Sequence, residues 1–197
     1  MGDQADRSAR VTRLILVRHA MPIIDAALPP KDWPISPEGR AAAGRMAEKL
    51  APFVPACVIS STEPKAADTG RIVAERLRAP ITFDADLVEH HRETVGFLPR
   101  AEVEAAIEAL FRRPGELVYG GETADQAHAR FAGAVERHRA AHPNEALVVA
   151  SHGTVISLWV SRRLGIDPVP LWRSLTLPCA VVMAEDGRTF EIITADA

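Results

Sequence analysis

Residues 14 to 17, Leu-Ile-Leu-Val, run without a polar interruption straight into Arg18 and His19, and this stretch constrains the fold more than any other. Four β-favouring apolar residues in a row fit a strand covered on both faces, and such strands belong to parallel sheets flanked by helices. Open α/β sheets bind ligands beyond the carboxyl ends of their strands. A guanidinium and an imidazole at that end are therefore placed to meet a substrate.

The same arrangement recurs along the chain. After a proline-rich loop from Met21 to Ile35, Ser36-Pro37-Glu38 reads as a helix start, with a hydroxyl cap, a proline at the first helical position and an early carboxylate. This helix is predicted to reach Leu50. Cys57 to Ser60 is a second short strand, and the helix after it takes Ser61 or Thr62 as cap. Residues 80 to 83 form a short strand, 84 to 96 are irregular, and 100 to 112 an amphipathic helix. Thr123 to Gln126 fits a capping box opening a helix to Ala141. A buried strand, Ala146 to Ser151, turns through His152-Gly153-Thr154 into a helix over 155–164 stopped by Gly165. Residues 180–184 and 189–194 flank an Asp186-Gly187 hairpin turn. The expected architecture is a three-layer α/β/α sandwich with a mainly parallel central sheet, formed by residues 13–197 as a single domain behind a disordered tail, 1–12. A length of 197 residues suits one such domain.

Composition narrows the function classes. The net charge of −3 gives no footprint for nucleic acid or for an acidic membrane surface, so neither is an expected partner. No signal-peptide core or bilayer-length apolar run occurs, and the expected location is cytoplasmic. Cys57 and Cys179 lack CxxC spacing and read as reduced core thiols.

His19 and His152 end two buried strands, the latter where free helix amides favour an anion. Lys65 opens the helix after the second strand, against the usual preference for acidic residues there, which suggests either a ligand or a surface pair with Glu63. Arg18, Lys65 and the amides at His152 and Gly153 together suit a tetrahedral oxyanion. Nearby positive charge keeps His19 neutral, so one ring nitrogen can attack phosphorus while a backbone carbonyl orients the other. Fixed cations rather than a metal or other cofactor stabilise the transferring phosphoryl group. Glu89 is the best-placed acid for the departing oxygen, with Asp86 and Glu93 as alternatives.

These residues resemble the signatures of the histidine phosphatase superfamily, also called phosphoglycerate mutase-like. VRHA is similar to its Arg-His-Gly signature and DWPISPEG to its D-x-P-L-T-x-x-G pattern. SSTEPKAADTG resembles its Ser-Ser-x-x-x-Arg-Ala-x-x-Thr-Ala segment, LVE its acid-bearing segment, GGET its Gly-Glu-Ser segment and VVASHGTVI its second-histidine segment. The matches run in order from about residue 13 to 160. The resemblance implies His19 as nucleophile, Arg18 and His152 as phosphate ligands, Glu89 as proton donor and no metal. Four positions depart from it. Ala20 replaces glycine beside the nucleophile, and Lys65 replaces a forked guanidinium with a point charge. Met21 and Asp25 stand where the mutase-like pattern has glutamate and asparagine. An extra carboxylate there would repel phosphate, which argues for a phosphatase other than a phosphoglycerate mutase.

The remaining candidates are weighed against plainer roles. Trp33 either caps a pocket or anchors its loop. His90 and His91 read as exposed loop histidines, His138 and His142 as a solvent-facing pair, and Trp159 and Trp172 as packing residues. GGET serves as turn, cap and pocket wall. A Ser-His hydrolase using Ser151 lacks the Gly-x-Ser-x-Gly elbow. The reading is hydrolysis of a phosphomonoester of a small metabolite, with mutase-type phosphotransfer and a weakly catalytic phosphate- or protein-binding module as alternatives. Oligomeric state is left open.

Overall fold

The computed structural model describes residues 14–92, 95–184 and 186–196, so the predicted tail lies outside the described residues. Strand β1 (Leu14–Arg18) is followed by α1 (Pro37–Leu50), β2 (Cys57–Ser60), α2 (Pro64–Leu77), β3 (Ile81–Phe83), α3 (Arg100–Arg112) and α4 (Ala124–Ala141). Then come β4 (Leu147–Ser151), α5 (Gly153–Leu164), α6 (Pro168–Ser174), β5 (Cys179–Met183) and β6 (Phe190–Thr194). The sheet order is β3-β2-β4-β1-β5-β6, with the first four strands parallel and β5 and β6 antiparallel to their inner neighbours.

Alternation along β1 explains why its apolar run is unbroken. Leu14 and Leu16 join Val149, Phe131 and Ile156 on the face covered by α3 to α6. Ile15 and Val17 join Val148, Met46 and Val73 on the opposite face, under α1 and α2. The strand is apolar on both sides because both sides are core.

Helix starts follow local chemistry. Ser36 caps α1 by accepting from the Gly39 amide at 3.0 Å. Thr123 and Gln126 form the expected reciprocal capping box on α4, which satisfies two otherwise free amides. Helix α2 differs from expectation, since Glu63 is its N-cap and makes no side-chain cap bond, while the Ser61 hydroxyl is directed to His152. Helix α6, to which the sequence reading assigns no element, starts on Asp167, whose carboxylate accepts from the Val169 amide at 2.9 Å. The two ends of the loop after β1 are joined by an antiparallel bridge between Pro22 and Ile35. Cys57 and Cys179 are free and buried, and burial pushes the Cys179 thiol up to about 11. No helix among the described residues is long and apolar enough to cross a membrane.

Candidate active site

The sheet register brings the chemistry together. Strands β2, β4 and β1 are adjacent and parallel, with Ser60 opposite Ala150 and Arg18 opposite Ser151, so their carboxyl ends finish level. Lys65, His152 and His19 follow those three ends. The His19 amide donates to Ser151 O at 2.9 Å and carries the ladder one step further. Its ring Nδ1 lies 2.8 Å from Ala20 O; a carbonyl only accepts, so Nδ1 carries the proton and Nε2 the lone pair. The two imidazoles are 5.2 Å apart between ring centroids. His152 Nε2 is 2.8 Å from the Ser61 hydroxyl, and its buried Nδ1 has no hydrogen-bond partner among the described residues.

The same is true of the buried Arg18 Nε, while Arg18 Nη1 donates to Leu175 O. Gly153 packs closely beside it: a Cβ at that position would stand 3.0 Å from Arg18 Nε and crowd the guanidinium. The alanine at 20 is tolerated for a different reason. Its backbone is not among the positive-φ residues, and its amide donates to Thr69 Oγ1 at 3.0 Å, which ties the end of β1 to α2.

Lys65 is 3% exposed, so its pairing with Glu63 is a buried one and not the surface pair considered from sequence. Nζ donates to Glu63 Oε2 at 2.5 Å and to Pro30 O at 2.7 Å, leaving one of its three protons for a ligand. Glu89 occupies the N-terminus of α5, accepting from the amides of Thr154 at 3.2 Å and Val155 at 3.3 Å. The helix amides proposed from sequence for an oxyanion are thus engaged by Glu89 at these two positions. Of the other carboxyls considered, Asp86 is turned outward to Arg137 at 2.7 Å, and Glu93 lies outside the described residues.

Electrostatics favour neutral imidazoles. Burial holds His19 well below its usual 6.5, and the charges of Lys65 and Arg18 add to it against the Ala20 carbonyl. His152 is likewise depressed by burial and by Lys65, partly opposed by Glu89. Burial alone would raise Glu89, yet its carboxyl lies below the ordinary range because of His152, Arg92 and the His90 amide. Since His152 is itself neutral at pH 7, Arg92 and the amide carry that effect.

Several contributors carry no role in the site from the sequence alone. Glu63 accepts from the Glu89 amide at 2.9 Å besides holding Lys65. Arg130 fastens the acid-bearing segment, donating to Asp86 O, Val88 O and Glu89 O at 2.8 to 3.1 Å and to Glu122 at 2.6 Å. Glu122 of the GGET segment also accepts from the His91 amide, so it braces this loop. Glu63 lies in a quoted motif and stands out only through its charge beside Lys65; Arg130 has no local signal at all. His90 is buried, donating from Nε2 to Glu122 O at 2.7 Å, and is not the exposed loop residue expected. His138 and His142 engage separate acids, Asp84 and Glu145. Asp25 accepts from the Ala27 amide within its own turn, and it lines neither cavity at the site. Among the described residues no group of three or more His, Cys, Asp or Glu is arranged to hold a metal ion.

Residues 14–193 match the family model described as histidine phosphatase superfamily, branch 1. The chain belongs to this superfamily. A search of curated proteins gives no match. Among solved structures of histidine-phosphatase fold, a mycobacterial glucosyl-3-phosphoglycerate phosphatase superposes with TM-score 0.72 at 22% identity, covering 93% of this chain and 97% of that one. Bacillus stearothermophilus YhfR gives 0.70 at 23% identity over 94% and 98%. A phosphoserine phosphatase from Entamoeba histolytica, in complex with phosphoserine, gives 0.74 at 16% identity over 94% and 98%. At these identities the likeness is one of fold.

Proposed function

We propose that this histidine phosphatase superfamily member hydrolyses a phosphomonoester of a small metabolite through a phosphohistidine on His19. The observation that carries the reading is the His19 ring, anchored through Nδ1 and buried beside Arg18, Lys65 and His152 with Nε2 left as the nucleophile. Relatives of the same fold named for glucosyl-3-phosphoglycerate and phosphoserine support a small phosphorylated substrate.

In the first step the Nε2 lone pair forms a bond to phosphorus as the ester P–O bond breaks, and the departing oxygen takes a proton from Glu89. Glu89 is a carboxylate in the free protein, but a phosphate arriving beside it raises its proton affinity, so a monoanionic substrate supplies that proton. Arg18, Lys65 and His152 hold the phosphoryl oxygens, and the Gly153 position lets the guanidinium approach. In the second step water bonds to phosphorus, gives its proton to Glu89 and releases phosphate, and the P–N electron pair returns to Nε2. Splitting one displacement into two lowers each barrier.

The test is to mix the protein with a chromogenic phosphomonoester and a metal chelator, then quench in alkali. An acid-labile phosphoprotein is expected in the wild type and absent in His19→Ala, and unchanged turnover by that variant overturns the assignment. Turnover of a panel of phosphorylated metabolites separates hydrolysis from phosphotransfer and from simple binding.

A further inference from the structure

Two cavities lie beside the site and share a wall. The inner one is walled by Glu63, Glu89 and His90 and reaches Pro30 and Arg92. Those last two residues also line an outer cavity of about 100 Å³, whose remaining wall is apolar and aromatic: Trp33, Phe97, Tyr119 and Val103 face it. The chain contains only ten aromatic residues, six Phe, three Trp and one Tyr, so three of them, including the single tyrosine, converge here. They come from three separate loops and are held by contacts with one another and with their surroundings. Trp33 and Phe97 lie 6.5 Å apart at a 51° tilt, Trp33 Nε1 donates to Asp25 O at 2.8 Å, and Tyr119 stacks on His90 at 5.7 Å.

Nothing in the phosphate chemistry uses this cavity, and its lining is wrong for a second anion apart from Arg92 at the shared wall. Its volume approaches that of apolar cavities known to hold a benzene ring, of order 150 Å³. Tilted aromatic walls add favourable edge-to-face contacts with a ring. We infer that the outer cavity is the leaving-group subsite and takes the ring-bearing, apolar alcohol of the phosphomonoester. This rests on the reading that the phosphate sits at His19: Pro30, whose carbonyl accepts from Lys65 Nζ, and Arg92 both line the outer cavity, so an ester with its phosphorus at His19 extends its ring past them toward Trp33 and Phe97.

The test compares benzyl phosphate with ethyl phosphate, whose alcohols are of similar acidity, so that leaving-group chemistry is held constant. Ring burial is expected to raise kcat/KM for the benzyl ester about tenfold or more, and Phe97→Ser, at a site already 48% exposed, is expected to erase most of that ratio. Benzylphosphonate and ethylphosphonate, measured as ligands by calorimetry on the wild-type protein, report the subsite without turnover. A benzyl preference in binding with neither ester hydrolysed keeps the subsite and overturns the phosphatase reading. Equal kcat/KM for the two esters, or equal binding of the two phosphonates, overturns the subsite and leaves hydrolysis standing.

Discussion

The two ends of the site are built differently. The phosphate end consists of the level tips of β1, β2 and β4, where His19, Arg18, Lys65 and His152 are held by the sheet register and buried. The outer end is made of loop residues around Trp33, Phe97 and Tyr119, meeting across the mouth. On the proposed reading, the difference teaches that the reaction rests on side chains fixed by the sheet register, whereas the choice of substrate falls to loops that can change without disturbing it.

Substitutions should separate the ends by size of effect. Arg18→Ala removes a cation aimed at the transferring group, and a fall in kcat of about 10³-fold or more is expected for every ester, measured at saturating substrate. An equal loss from Phe97→Ser would break the division. Glu89→Gln should slow alkyl esters about 100-fold and nitrophenyl esters far less, because a good leaving group departs without a proton. Equal slowing of both would remove Glu89 from the acid role.

The Lys65 and Glu63 pair tests whether the phosphate end acts as one unit. Lys65→Met leaves a buried carboxylate facing the anion, so inorganic phosphate should bind about 100-fold more weakly by calorimetry, and the double variant with Glu63→Gln should recover about tenfold of the loss. Additive effects would show that the two residues act apart.

A smaller effect concerns stability. His19 and His152 are depressed below 6.5 in the folded protein, so below that pH the unfolded chain binds more protons than the folded one. Folding stability should therefore be fully present above pH 6.5 and fall as pH drops below it. The slope is at most about 1.4 kcal/mol per pH unit for each histidine, read from urea unfolding between pH 7 and 5. His152→Gln should flatten it.

The gathering of His19, Arg18, Lys65 and His152 was legible in the sequence because unbroken apolar runs reveal strands buried on both faces, and residues at their carboxyl ends must meet once the strands pair in parallel. Ordered motifs then added Glu89. What sequence could not show depends on contacts between distant loops. Arg130 grips carbonyls 41 to 44 residues away, and Glu89 reaches amides 65 and 66 residues on. The burial of Lys65 against Glu63 depends on Pro30 arriving from another loop. Helix α6 has no clear signal because Pro168 and Pro170 resemble breakers, although both sit in a first turn whose N–H groups have no intrahelical acceptor in any case. The aromatic cavity has no periodic signal, since Trp33, Phe97 and Tyr119 meet only in three dimensions.

The central claim is that Nδ1 of His19 is occupied by Ala20 O, which reserves Nε2 for phosphorus. Nitrogen-15 and phosphorus-31 NMR of the alkali-quenched phosphoenzyme, labelled at histidine, reads this directly. Phosphorus coupled to His19 Nε2 is the predicted result; phosphorus on Nδ1 of His19, or on His152, would contradict it.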